Sequence, residues 1–207
     1  MTRVVFLPGA SGKRAFWQPV AERLGLGNDA LLFAWPGFGD EPADLRIQRL
    51  SDLAAYCIHR LDGPSTLIAQ SMGGVVALQI ALQRPDLVQR LVLCGTSGGI
   101  DMARFNAEDW RDAYATEYLP SFNHAPSWFV DDRTDLTAQI ASISAPSLLL
   151  WGAEDRISPP AAGEYLATLL PDSRFVTVPG GTHALPAEKP DEVALQIAAF
   201  LELAVPT

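Results

Sequence analysis

Cysteine is nearly absent from this chain of 207 residues, which carries two, Cys57 and Cys94. A disulfide scaffold is thereby excluded. Cys57 falls in a helix-like stretch and Cys94 at the end of an apolar run, so both are expected to be buried, reduced thiols. Histidine is scarce as well: His59, His124 and His183 are far apart and lack ligand spacing, so no metal site is expected. No apolar run approaches the roughly 20 residues of a membrane-spanning helix. Met1-Thr2-Arg3 leads at once into Val4-Val5-Phe6-Leu7 and then Pro8-Gly9, without the long apolar stretch of a signal peptide. Positive charge is in deficit, with 15 Lys and Arg against 24 Asp and Glu and a net charge of −9. Such a surface repels phosphate backbones and anionic bilayers, so neither nucleic acid nor a membrane is expected as a partner. The expectation is a soluble, cytoplasmic globule.

What is present is a rhythm. Apolar runs of strand length cover Val4 to Leu7, Leu31 to Ala34, Thr66 to Ala69, Leu91 to Cys94, Leu148 to Trp151 and Phe175 to Val178. Stretches of helical period lie between them, at about Trp17 to Leu24, Leu50 to Leu61, Met72 to Arg84, Pro159 to Leu169 and Asp191 to Leu203. Near-continuous apolar strands imply burial on both faces, as in a parallel sheet covered by helices. Strand and helix in alternation define an α/β doubly wound architecture and a single domain spanning residues 1–207. Ser158 before Pro159-Pro160 reads as an N-cap, and Arg84-Pro85 as a helix stop.

One stretch, Ile100 to Asp132, carries no strand signal yet holds seven of the eighteen aromatics. Trp110, Tyr114 and Tyr118 are spaced by four and share one helical face. That face either packs as core or lines an acyl pocket beneath a short helical lid formed by residues 100–132. An insertion between strands of an open sheet lies over the strand ends, where ligands bind.

The strongest local signal is Thr66-Leu67-Ile68-Ala69-Gln70-Ser71-Met72-Gly73-Gly74. A short apolar strand runs into a serine flanked by small residues, and a helix follows directly. A nucleophile elbow needs this pattern, because the turn is so tight that the positions two before and two after the serine must be small. Here they are Ala69 and Gly73. A serine hydroxyl needs a base, and the base an orienting acid. Asp155 in Gly152-Ala153-Glu154-Asp155 and His183 in Gly181-Thr182-His183 each follow the end of a strand-like run, so both should emerge on the same sheet edge as Ser71. Glu154 is the second candidate for the acid. His59 reads as a surface side chain, and Asp131, Asp132 and Asp135 as a solvated loop and helix start.

With these pieces in place the chain resembles the α/β-hydrolase superfamily over nearly its whole length. The matching residues are Leu7-Pro8-Gly9-Ala10, Trp35-Pro36-Gly37-Phe38-Gly39, the Ser71 elbow, the turn from Gly152 through Asp155 to Pro159, Gly181-Thr182-His183 and Glu188-Lys189-Pro190. The resemblance implies Ser71 as nucleophile, His183 as general base and Asp155 as its orienting acid, in the family's chain order. It implies an oxyanion hole from the backbone N–H groups of Ala10 and Met72. It also implies a chain that starts at the strand before the oxyanion loop, with a mostly parallel sheet of about six strands. No cofactor is implied, and the partners are a small acyl substrate and water. The expected activity is carboxylic ester hydrolysis through an acyl-enzyme. The same residues would serve a thioesterase, a lactonase or a carbon–carbon bond hydrolase, and a ligand-binding module without catalysis is the reading from another class.

Overall fold

The computed structural model describes residues 3–114, 116, 126 and 128–203. Six strands form its centre: β1 (Arg3–Leu7), β2 (Ala30–Leu32), β3 (Ser65–Gln70), β4 (Val88–Cys94), β5 (Ser147–Gly152) and β6 (Ser173–Val178). They pair in the order β2-β1-β3-β4-β5-β6, and every pair is parallel. β3 and β5 are buried at every position, which is why their sequences show no polar alternation.

Side chains alternate across the strands and divide the core in two. Leu67, Leu91, Leu93 and Leu149 face one side, against α2 (Leu50–Ile58), α3 (Met72–Gln83) and α6 (Pro160–Leu169). Ile68, Val92, Leu148 and Leu150 face the other, against α1 (Gln18–Arg23), α7 (Leu185–Glu188) and α8 (Pro190–Leu201). Cys57 belongs to the first cluster and Cys94 to the second. The two thiols therefore lie on opposite faces of the sheet, and burial pushes each above the ordinary thiol range.

The expected elements form, with local differences. β2 ends at Leu32 instead of Ala34; Phe33 still donates to the Phe6 carbonyl, and then the chain swings so that the Trp35 N–H reaches the Gly12 carbonyl. His59 sits exposed at the C-cap of α2, past its last turn. Ser158 does not cap α6, whose N-cap is Pro159. Instead Ser158 is drawn inward, its N–H donating to Asp155 Oδ1 at 2.8 Å and its carbonyl accepting from Trp151 Nε1 at 2.9 Å. Its backbone is consumed by the loop before it, so the helix starts one residue later.

Between β4 and β5, the described residues contain a 3₁₀ turn (Met102–Phe105), α4 (Trp110–Ala113) and α5 (Trp128–Asp131), and no strand. Trp110 stacks on Phe129 at 4.8 Å between ring centroids, and Tyr114 stands edge-on to both. Phe129 also meets Phe38, at 5.8 Å, which ties this segment to the loop after β2. Tyr118 and His124 lie outside the described residues. No helix among the described residues is long and apolar enough to cross a membrane.

From β1 the chain runs to one side for β2 and returns on the other side for β3. The carboxyl ends of β1 and β3 therefore flank the switch point, where doubly wound sheets open a crevice.

Candidate active site

The crevice is built on the turn between β3 and α3. Ser71 has φ 52° and ψ −122°, a conformation that a residue with a β-carbon adopts only under constraint. Its N–H donates to the Cys94 carbonyl at 3.0 Å, and its own carbonyl accepts from Thr96 Oγ1 at 2.6 Å. Small residues make the turn possible. A β-carbon at Gly73 would lie 2.5 Å from the Pro8 carbonyl oxygen and 2.6 Å from that of Leu7, and one at Gly74 would collide with Thr96. Helix α3 can thus start almost in contact with the end of β1. Its first turn presents free backbone N–H groups at its positive end.

Two further loops converge on Ser71. The His183 ring lies with Nε2 3.0 Å from Ser71 Oγ and Nδ1 2.9 Å from Asp155 Oδ2. The Asp155 side chain is fully buried, whereas that of His183 is 21% exposed, so the ring faces the crevice and the carboxylate is sealed behind it. A buried carboxylate needs compensating donors. Asp155 Oδ1 receives them from the N–H groups of Ile157 at 3.0 Å and Ser158 at 2.8 Å. Glu154, the alternative acid, is exposed. The acid and base loops meet because Gly152 packs on the Gly181 backbone, where a β-carbon would collide, and the Glu154 N–H donates to the Gly181 carbonyl at 2.9 Å. Gly95, with φ 46°, leaves room for the pair: a β-carbon there would stand 2.9 Å from Asp155 Oδ2.

Above this line opens a cavity of about 800 Å³, with Ala10, Ser71, Met72 and His183 in its wall. Trp110, Tyr114 and Phe129 supply aromatic lining. On the described part of the helical face, Tyr114 is buried at 4% exposure and also stands in the cavity wall, beside Trp110. Burial pushes its phenol up to about 12, so it lines the cavity uncharged. Among the described residues no group of three metal-ligating side chains occurs.

Three residues with a part in this geometry were missed from sequence. Gln70 donates from Nε2 to the His183 carbonyl at 3.0 Å. Thr96 anchors the elbow, and Gly95 makes space for Asp155. The available signal was Gly95-Thr96 closing an apolar strand next in space to β3, but that adjacency is a matter of strand order.

A hydroxyl, an imidazole and a buried carboxylate in one hydrogen-bonded line can pass a proton from oxygen to nitrogen while the ring holds its orientation. Comparison with known proteins agrees with the fold. The model of the alpha/beta hydrolase family matches residues 4–196, and the chain belongs to that family. It is 24% identical to the polyketide synthase ThaQ of Burkholderia thailandensis over 97% of this chain, which spans 12% of that protein. It is 28% identical to the pimeloyl-[acyl-carrier protein] methyl ester esterase of Neisseria meningitidis, over 72% of this chain and 60% of the esterase. Among solved structures, a thermophilic esterase from Thermogutta terrifontis superposes with a TM-score of 0.78 at 25% identity, covering 98% of this chain and 90% of the esterase.

The close approach of α3 to β1 has a measurable consequence. Gly73→Ala should destabilise the fold by about 1–3 kcal/mol, because the groups it strikes are backbone and cannot rotate away. Gly63→Ala, where nothing lies within 4 Å of the new carbon, should be neutral. Chemical denaturation of both variants checks the difference.

Proposed function

We propose that this protein hydrolyses uncharged carboxylic esters through an acyl-enzyme on Ser71. The observation that carries the proposal is the line from Ser71 Oγ through the His183 ring to Asp155, with contacts of 3.0 and 2.9 Å. Ser71 Oγ attacks the ester carbonyl as His183 Nε2 takes its proton. The tetrahedral oxyanion is held by the N–H groups of Met72, at the positive end of α3, and of Ala10. His183 then returns the proton to the departing alcohol, and the acyl group stays on Ser71. Water, deprotonated in turn by His183, attacks the acyl-enzyme and releases the acid. Asp155 keeps Nδ1 protonated and the ring aimed throughout. Nothing in this cycle calls for a cofactor. The names of the two esterases among the similar proteins are in line with ester cleavage.

The cavity indicates the substrate class. Segment 100–132 acts as a lid whose rings Trp110, Tyr114 and Phe129 receive the acyl chain, each buried methylene contributing about 0.8 kcal/mol. Around these rings, Asp101, Glu108, Asp109, Asp132 and Asp135 line the cavity against two guanidiniums, those of Arg111 and Arg133. Both guanidiniums are already engaged: Arg111 by Asp109 and the Val130 carbonyl, Arg133 by the carbonyls of Val130 and Asp132. Hydrogen bonds from Arg111, the backbone N–H before the side chain, hold the Asp109 carboxyl below its usual range. Those from Thr137 do the same for Asp135. Five carboxylates against these two guanidiniums, with Glu108 also paired to Arg156 at 3.4 Å, leave the cleft net negative, which disfavours anionic substrates.

Ser71→Ala tests the chemistry. The variant should stay folded and lose on the order of 10⁶-fold in kcat; ester turnover retained by the purified variant would remove Ser71 from the mechanism. A second assay tests the substrate class. Against p-nitrophenyl butyrate, the matched hemisuccinate ester, with a carboxylate in place of the terminal methyl, should show kcat/KM at least about tenfold lower at low salt. The gap should narrow as salt screens the cavity. Equal rates at low salt would show that the carboxylates do not select.

A further inference from the structure

We infer that Gln70 is a positioning residue that fixes the main chain of His183, an inference that rests on the reading of His183 as general base. Gln70 closes β3, after the apolar residues Leu67, Ile68 and Ala69, and immediately precedes Ser71. It is 5% exposed. A primary amide buried to that degree is costly unless its donors and acceptors are used. Its Nε2 donates to the His183 carbonyl at 3.0 Å. Its Oε1 lies against Gly9, where a β-carbon would collide with it. One side chain therefore touches both neighbours of the elbow: the loop after β1, which carries Ala10, and the loop after β6, which carries His183.

The bond to His183 has a use that packing alone does not explain. Asp155 sets the rotation of the ring from Nδ1, but where Nε2 lies also depends on where the backbone places the residue. On the chain side before His183, the Thr182 N–H and Oγ1 donate to Glu188, at 2.9 and 2.6 Å. On the side after it, the peptide carbonyl of His183 is held by Gln70. Among the described residues, Gln70 makes the one side-chain-to-backbone hydrogen bond between β3 and this loop. Without that donor the peptide plane between His183 and Ala184 keeps only the long bond from the Ala184 N–H to Thr182 Oγ1, at 3.4 Å, and the ring moves as the plane turns. Catalytic groups must be held within about 0.5 Å of productive geometry, and a displacement of about 1 Å lowers rate by about 100-fold.

The test uses two variants of the whole chain. Gln70→Met keeps length and volume but has no donor. Gln70→Glu keeps the shape and the oxygen beside Gly9 while replacing the N–H that faces the His183 carbonyl. Both should lower kcat on a neutral ester by about 10- to 100-fold, with KM within about twofold of the parent. The rate of fluorophosphonate labelling of Ser71 should fall in parallel, with melting temperature little changed in Gln70→Met and lowered in Gln70→Glu, which buries a carboxylate. Ser147→Ala serves as the comparison, since it removes another buried side-chain-to-backbone bond, Ser147 Oγ to the Ala145 carbonyl at 2.9 Å, at the opposite end of β5; its kcat should match the parent's. Parental kcat in either folded Gln70 variant would overturn the inference, as would a rise in KM alone. Failure of both variants to fold would assign Gln70 to stability and overturn it equally. A parent protein that neither turns over esters nor takes the label would instead sink the reading of the site itself.

Discussion

Everything around the cavity is arranged about the turn in which β3 becomes α3. Ser71 occupies a backbone conformation that side chains with a β-carbon avoid, and the surrounding contacts hold it there. The Cys94 carbonyl takes its N–H and Thr96 Oγ1 donates to its carbonyl, while Gly73 and Gly74 let α3 press against β1 and Thr96. Strain of this kind persists only where the neighbouring structure over-determines it. The result is a hydroxyl raised above the sheet edge, beside the first N–H groups of a helix.

The parallel sheet supplies the rest. Because all six strands run the same way, the residues that follow β1, β3, β5 and β6 come out on one edge. Ala10, Ser71, Asp155 and His183 need no long excursions to meet. Burial then sorts their environments. The carboxylate is sealed and satisfied by two backbone donors, the imidazole is partly open, and the serine lines a cavity with aromatic walls. A flexible surface arrangement of the same three groups would spend most of its time out of register.

The sequence carried the strands, the helices and the convergence of Ser71, Asp155 and His183 plainly. Ser71, Asp155 and His183 are residue types with their own chemistry, each placed just past a strand-like run, and period alone orders those runs. What it did not carry depends on neighbours distant along the chain. Gln70 matters because β3 ends beside the loop after β6, and Gly95 because β4 passes under Asp155; neither relation has a local signature. Ser158 looked like a helix cap because its preference for that position is real, but its carbonyl, which a cap would offer to the helix, accepts from the buried Trp151 Nε1 instead. For Trp110 and Tyr114 the period revealed the shared face. It did not separate core from cavity wall, since these rings stand at the boundary and are both.

The claim that Ser71 carries the acyl group through the cycle is tested most directly by stopping turnover with acid within milliseconds and locating the trapped acyl group by peptide mass spectrometry. The acyl mass should appear on Ser71, at a level approaching one per protein when deacylation is the slower step. Speeding the first step with an activated ester, whose leaving group has departed before deacylation, should raise the yield at the same residue. An acyl group found on another residue, or rapid turnover with Ser71 never modified, would contradict the account.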